Sequence, residues 1–428
     1  MDRRVFLLLT LAGAADPSPL PPPLGPPSDP TLVAPDTQIS APRPTGDTQF
    51  DAWRSAFMIR ALAEGLPADV LAREFSGVTP DLHVLALETH QPEFSKPVGD
   101  YVRGVISDER VAIGRRKLDQ LTWLPQVESR YGVPAEILLA IWAVETAFGA
   151  IQGNYDALRC LATLAASGHR QDWAETQIIA LFHIMAEGDA TRAQLKGSWT
   201  GALGQPQFEP TQYLSTAVDA DGDGRRDIWT SAEDALASAA NLLAKAGWRR
   251  GQLWAREMVL PPGFDYGLCE GPAQPLAAWT ALGLHSADGL AWSAADASAD
   301  AVLLTPVGAK GPAFLALPNH FVLRQYNNAL AYALAVGLLA DRIAGRTPVL
   351  APWPPEVPLS LVDRSDAQTA LAQLGFDAGA VDGMIGAKTR IALRAWQKAR
   401  GLPADGYLSL DVVQRLRSEA RAATPAAG

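Results

Sequence analysis

Apolar side chains recur three and four positions apart over 50–64, 108–130, 134–148, 173–187, 233–246 and 326–342. That spacing puts them along one face of a helix. Strand-like alternation is scarce. The stretch 256–325 breaks the rhythm with Gly, Pro and Trp, and is expected to hold loops and a few short strands. Near the end, Asp366–Leu374 stops at Gly375, and Thr389–Arg400 stops at Gly401; a glycine is the usual residue just past a helix end. The pattern therefore predicts a mainly α protein. A large helical region with a small irregular α+β subregion occupies about 48–345, and a small helical unit of two or three helices occupies about 361–418.

Proline marks the boundaries. Eleven of the 33 prolines fall in 16–44, and a second cluster, Pro348, Pro352, Pro354, Pro355 and Pro358, lies between the two helical regions. Such stretches favour extended chain and bury no core, so 16–47 reads as a disordered spacer and 346–360 as a linker. Ahead of the first, Arg3 and Arg4 precede a short apolar run, Val5–Ala12, with small residues at Ala12 and Ala14. Residues 1–15 thus have the layout of a bacterial export signal, and Arg-Arg-Val-Phe-Leu has the look of a twin-arginine signal. The run is far shorter than the ~20 residues that span a bilayer, so a soluble, periplasmic protein is expected.

The 428-residue chain is 48% hydrophobic and 19% charged, with a net charge of −10. That is globular composition with ample core material. The acidic balance disfavours binding nucleic acid through phosphate neutralisation. Two cysteines, Cys160 and Cys269, are too few for a four-cysteine zinc site. They form either a disulfide or two buried thiols, and their separation does not decide which.

The segment Tyr131-Gly-Val-Pro-Ala-Glu-Ile-Leu-Leu-Ala-Ile-Trp-Ala-Val-Glu-Thr-Ala-Phe-Gly149 carries the candidate chemistry. Pro134 suits a first helical turn and Gly149 a helix end. Glu145 follows Ile141 by four residues and Trp142 by three, which places a carboxyl group on the apolar stripe. Burial disfavours the charged form, so its pKa is expected to rise, as a general acid requires. By periodicity alone, a glutamate that snorkels to water at the helix end remains the alternative.

Two further strings stand beside it: Leu195-Lys-Gly-Ser-Trp-Thr-Gly-Ala-Leu-Gly-Gln-Pro-Gln-Phe-Glu-Pro210 and Arg324-Gln-Tyr-Asn-Asn-Ala-Leu-Ala-Tyr332. Together, and in this order, the three resemble the motifs of the lytic murein transglycosylase B family. The resemblance implies a lysozyme-like helical fold. It also implies cleavage of the β-1,4 bond between N-acetylmuramic acid and N-acetylglucosamine without water, leaving a 1,6-anhydromuramoyl end. Hydrolytic glycosidases usually need two carboxylates. Here the muramoyl C6 hydroxyl replaces water, so Glu145 would serve first as acid and then as base. The resemblance also places Ser198, Gln207, Tyr326, Asn327 and Tyr332 along the substrate cleft, with Trp199 as the aromatic candidate. Some family members carry tyrosine where this chain has Gln205. A hydrolytic muramidase and a non-catalytic wall-binding protein are the alternative readings.

The run Asp219-Ala-Asp-Gly-Asp-Gly-Arg-Arg-Asp227 places oxygens at positions 1, 3, 5 and 9 of an EF-hand-like loop, with Gly224 at position 6. Arg225 would offer its backbone carbonyl. Thr230 stands where the closing Glu is usual; acidic residues return only at Glu233 and Asp234, so a closing ligand would come from a longer loop, with Asp234 as the candidate. A structural Ca2+ is the expected occupant, against a solvated acidic turn, and no cofactor is required for the chemistry. The tail resembles the three-helix peptidoglycan-binding domain in Asp382-Gly, Gly386-Ala-Lys-Thr-Arg and Trp396-Gln, with Leu371, Leu374, Ile391 and Trp396 expected as its core. The expected partner is the peptidoglycan glycan strand, and the expected state a monomer.

Overall fold

The computed structural model describes residues 43–88, 96–168 and 170–423. The proposed signal, 1–15, and all but the last five residues of the 16–47 spacer lie outside them. In chain order the helices begin with α1 (Thr48–Ala63), α2 (Ala68–Glu74), α3 (Leu82–Glu88), α4 (Val98–Val105), α5 (Asp108–Gln120), α6 (Leu124–Tyr131) and α7 (Ala135–Thr146). Strand β1 (Tyr155–Asp156), α8 (Ala157–Ala166), α9 (Gln171–Ala186), β2 (Lys196–Gly197), α10 (Pro210–Thr216) and α11 (Ala232–Lys245) follow. Next come β3 (Ala255–Val259), β4 (Gln274–Pro275), α12 (Leu276–Ala281), β5 (His285–Ser286), α13 (Ala294–Ala297), β6 (Asp300–Leu304) and β7 (Ala313–Ala316). The chain ends with α14 (Pro318–Tyr326), α15 (Leu330–Ile343), α16 (Leu361–Gln373), α17 (Ala387–Ala399) and α18 (Leu410–Ala423).

The chain divides into two compact units, one formed by residues up to His90 with Glu145–Ser238, the other by Gln91–Val144 with Ala239–Gly428. In the first, the Asp47 side chain caps α1 by accepting from the Phe50 amide, and Phe50, Trp53 and Phe57 turn one stripe of α1 inward. Every residue of α8 except Arg159 is buried, Ala157 through Ala166. A helix that is apolar on nearly every side belongs in a core, and α8 is the centre of this one.

In the second unit an antiparallel sheet takes the order β4-β6-β7-β3-β5. Its register is set by Ala255 opposite Ala316, Leu304 opposite Phe314 and Met258 opposite Ser286. The stretch that broke the helical rhythm is thus a sheet, over a core of Met258, Leu276, Trp279, Leu303 and Leu315. The tail is three helices around Leu371, Leu393, Trp396, Val413 and Leu416. Leu374 packs at its margin. Ile391, expected in that core, is 61% exposed. The buried stripe of α17 runs Thr389, Ala392, Leu393 and Trp396, and Ile391 lies off it.

The 346–360 segment is bonded to the rest of the second unit. The Glu257 carboxylate accepts from the Leu350 and Ala351 amides, both at 2.8 Å. The Trp353 ring lies 6.4 Å from Phe314. Glu356 accepts from the Gly99 amide at 3.0 Å and from the Tyr407 hydroxyl of the tail. The tail itself is held by Asp405, which accepts from the Ala309 amide at 2.9 Å, and by Arg390 and Arg394 on Glu270 at 2.7 and 3.1 Å.

Two predicted helices are each split. Residues 108–130 form α5 and α6, with Pro125 at the start of α6, because proline cannot donate the amide that a continuous helix needs. Residues 326–342 break after Tyr326, where Asn327 takes an extended conformation.

Candidate active site

Glu145 sits one residue from the end of α7. Every residue from Ile137 to Thr146 is buried, and Glu145 is 2% exposed. The carboxyl is therefore inside because the whole end of the helix is inside, not because of one stripe. The helix stops at Thr146, three residues before the glycine expected to end it. Ala147, Phe148 and Gly149 then all take left-handed backbone, with φ of 50°, 61° and 82°. For alanine and phenylalanine that conformation costs about 1–3 kcal/mol each, and it persists only where the surroundings over-determine it.

The surroundings are a lattice of backbone and amide bonds in the first unit. The Thr146 hydroxyl donates to the Gln205 carbonyl at 2.9 Å and accepts from the Gly149 amide at 3.1 Å. The Ile151 amide donates to the Thr146 carbonyl at 2.9 Å. Gln152 and Gln205 both donate through Nε2 to the Trp229 carbonyl, at 2.9 and 3.2 Å. Gln207 donates to the carbonyls of Gln152 and Gly204, at 3.0 and 2.8 Å. Its backbone is left-handed, φ 53°, and its Oε1 is buried with no partner among the described residues. A buried acceptor without a donor is costly, so this oxygen is ready for a donor from outside.

The second motif packs backbone on backbone. A Cβ on Gly197 would lie 1.7 Å from the Ala202 carbonyl oxygen, and one on Gly153 would lie 2.1 Å from that of Gly197. Ser198 is fully buried; its hydroxyl pairs with Thr200 Oγ1 at 2.8 Å and accepts from the Ala202 amide at 3.1 Å. These two bonds brace the turn from within the motif. Trp199, at 4% exposure, offers no open ring face, although its Nε1 has no partner among the described residues. Glu209 closes the motif. Burial pushes its carboxyl upward, partly offset by the Trp173 indole and the Arg170 charge. Its amide donates to Gln212 at the start of α10.

Tyr326, Asn327 and Tyr332 belong to the second unit. The two rings stack at 6.4 Å and 10°, and Asn327 Oδ1 accepts from the Ala329 amide at 3.0 Å ahead of α15. The sequence does not mark Thr146, Gln152 or Gln205 as site residues. Thr146 and Gln205 lie inside the first and second motifs, but a backbone-directed side chain leaves no periodic signal. Cys160 and Cys269 are free and buried, with burial pushing their thiols up to about 12 and about 11.

In the acidic loop, carboxylate oxygens of Asp219, Asp221 and Asp223 all lie within 4.8 Å of one another. Asp219 accepts from the Gly222 and Gly224 amides, Asp221 from that of Asp223, and Asp223 from that of Arg225. Asp234, expected to close the site, is fully buried and outside this group. Its Oδ1 accepts from the Ala220 and Asp221 amides and its Oδ2 from that of Asp227. Asp234 therefore holds the loop from beneath.

Residues 49–341 match the transglycosylase SLT domain family, and residues 361–416 match a peptidoglycan binding domain family. The chain is 33% identical over 222 residues to the membrane-bound lytic murein transglycosylase B of Escherichia coli (strain K12). That match covers 50% of this chain and spans 58% of the relative's length. Among solved structures, SltB3 from Pseudomonas aeruginosa in complex with NAG-NAM-pentapeptide is 45% identical, with a TM-score of 0.82 over 86% of this chain and 99% of that one. The Escherichia coli lytic transglycosylase Slt35 in complex with calcium is 26% identical, with a TM-score of 0.63 over 73% and 98%.

Proposed function

The chain belongs to the transglycosylase SLT domain family, and on that premise we propose that it is a lytic transglycosylase of peptidoglycan. The observation that carries the proposal is Glu145, 2% exposed, at the end of α7 beside a strained and heavily braced turn. Protonated, the carboxyl delivers its proton to the glycosidic oxygen as the bond from C1 of N-acetylmuramic acid breaks, and N-acetylglucosamine leaves with a hydroxyl. The substrate's acetamido oxygen steadies the cation-like C1. The C6 hydroxyl then attacks C1, and the Glu145 carboxylate takes its proton, which closes the 1,6-anhydro ring and restores the acid. Gln207 Oε1 is the acceptor offered to substrate, and Tyr326, Asn327 and Tyr332 are the proposed sugar contacts of the second unit.

Mass spectrometry of digested peptidoglycan tests this reading. Anhydromuramoyl ends are expected from the wild type and none from Glu145→Gln, which keeps size and polarity but removes the acid. Reducing ends in their place would identify a hydrolase. Equal cleavage by the variant would remove Glu145 from the chemistry.

The acidic loop fits a hard cation: three carboxylates converge, glycines at 222 and 224 make its turns, and like charges so close are stabilised by a cation. Asp219, Asp221 and Asp223, with the Arg225 carbonyl, would hold a structural Ca2+, which would supply charge neutralisation to the loop and no step of the reaction. The tail is proposed to bind the wall. Because it is bonded to the sheet region, it would present the wall at a fixed position and not as a tethered anchor. The first residues are proposed to direct export to the periplasm; among the described residues no helix is long and apolar enough to cross a membrane.

A further inference from the structure

We propose that Thr146 is a positioning residue for Glu145, acting through its hydroxyl. This rests on the reading of Glu145 as the acid. Thr146 is the next residue along the chain and is 1% exposed. Its hydroxyl makes two bonds that point away from the helix: it donates to the Gln205 carbonyl and accepts from the Gly149 amide. The first ties the end of α7 to the second motif. The second closes the turn Ala147–Gly149, whose three consecutive left-handed residues would otherwise relax toward ordinary backbone.

The far side of this clasp is itself anchored. The Gln205 amide donates to the Ile228 carbonyl at 2.9 Å, and its side chain donates to Trp229. Asp227 holds that segment by accepting from the Trp229 and Thr230 amides at 3.0 and 2.9 Å, and Asp234 accepts from the Asp227 amide at 2.8 Å. A continuous series of hydrogen bonds therefore runs from the acidic loop, through Trp229 and Gln205, to the residue after the acid. Its last member is a side-chain hydroxyl. A carboxyl that must deliver a proton in one direction and retrieve it from another depends on the orientation of the last helical turn, and the clasp sets that orientation.

Thr146→Val keeps the shape and removes both bonds, whereas Thr146→Ser keeps the hydroxyl. With peptidoglycan fragments as substrate, Thr146→Val is expected to lower kcat tenfold or more with KM within twofold, and Thr146→Ser to recover most of the loss. Thr163→Val serves as a control. It deletes another buried threonine hydroxyl, which donates to the Arg159 carbonyl and accepts from the Asp81 amide, and should leave kcat within twofold. Hydrogen exchange read at the Gly149 amide should quicken in Thr146→Val and not in Thr163→Val, independent of any activity. Unchanged kcat in Thr146→Val, a loss that serine does not rescue, or an equal loss in the control would overturn the proposal while leaving Glu145 as the acid. A wild type that does not cleave would overturn the functional reading and the proposal with it.

Discussion

The buried imidazole of His320 should make the protein acid-sensitive by a predictable amount. His320 is fully buried in α14, its ring stacked 6.0 Å from Trp254 and set edge-on to Phe321 at 5.2 Å. Neither nitrogen has a partner among the described residues. Burial, aided by the Arg324 charge, pushes its pKa down to about 3, from an ordinary 6.5. The unfolded chain therefore binds a proton below about pH 6.5 that the folded chain refuses. The stability tied to this neutral state is complete above pH 6.5 and is lost as the pH falls toward 3. At roughly 1.4 kcal/mol per pH unit, the loss between pH 6.5 and pH 5 is about 2 kcal/mol. His320→Leu removes the titration at similar volume. Urea unfolding of both proteins at pH 7.5, 6 and 5 reads it out, because groups common to both cancel in the difference. The variant should gain about 2 kcal/mol on the wild type between pH 7.5 and pH 5. A difference that stays flat with pH would show that the imidazole is not excluded from charging, and the argument from its burial would fail.

Gly197→Ala should destabilise the first unit by about 1–3 kcal/mol, since its Cβ would meet a backbone carbonyl that no rotamer can clear; an unchanged urea midpoint would contradict the close approach. Stripping divalent cations with a chelator should lower the melting temperature. A site filled at a hundred times its Kd contributes about 3 kcal/mol, or roughly 3 °C in a chain of 428 residues, and Asp221→Asn should abolish the Ca2+ response. Identical melting after elemental analysis shows the metal gone would refute a structural cation.

Much of the fold was legible in the pattern. The helical periods located α1, α7, α9 and α11 to within a few residues because each has buried positions at helical spacing. The pattern failed where a break is made by one residue within a continuing rhythm, as at Pro125 and Asn327. It also failed for the sheet, whose short strands alternate over too few residues to register. In the tail it misplaced Ile391, because an apolar residue beside the true stripe looks like part of it. The partners of Ser198 were illegible for a different reason. A serine in a motif is equally suited to a ligand or to its own turn, and only the folded chain brings Thr200 and the Ala202 amide to its hydroxyl.

The sequence by itself determined the helical class and the motifs that carry the family, and it singled out Glu145. These rest on residue type and spacing, which need no knowledge of distant neighbours. The tertiary structure decided what surrounds Glu145: three left-handed residues beyond Thr146, a threonine hydroxyl clasped to Gln205, and, further off, an Asp234 that accepts from three amides of the acidic loop. It also decided that the proline-rich linker is bonded along its length and that both cysteines are separate buried thiols. Each of these depends on backbone amides and carbonyls brought together from separate stretches of chain. A backbone group has the same chemistry at every position, so no pattern of side chains announces which carbonyl a hydroxyl will find.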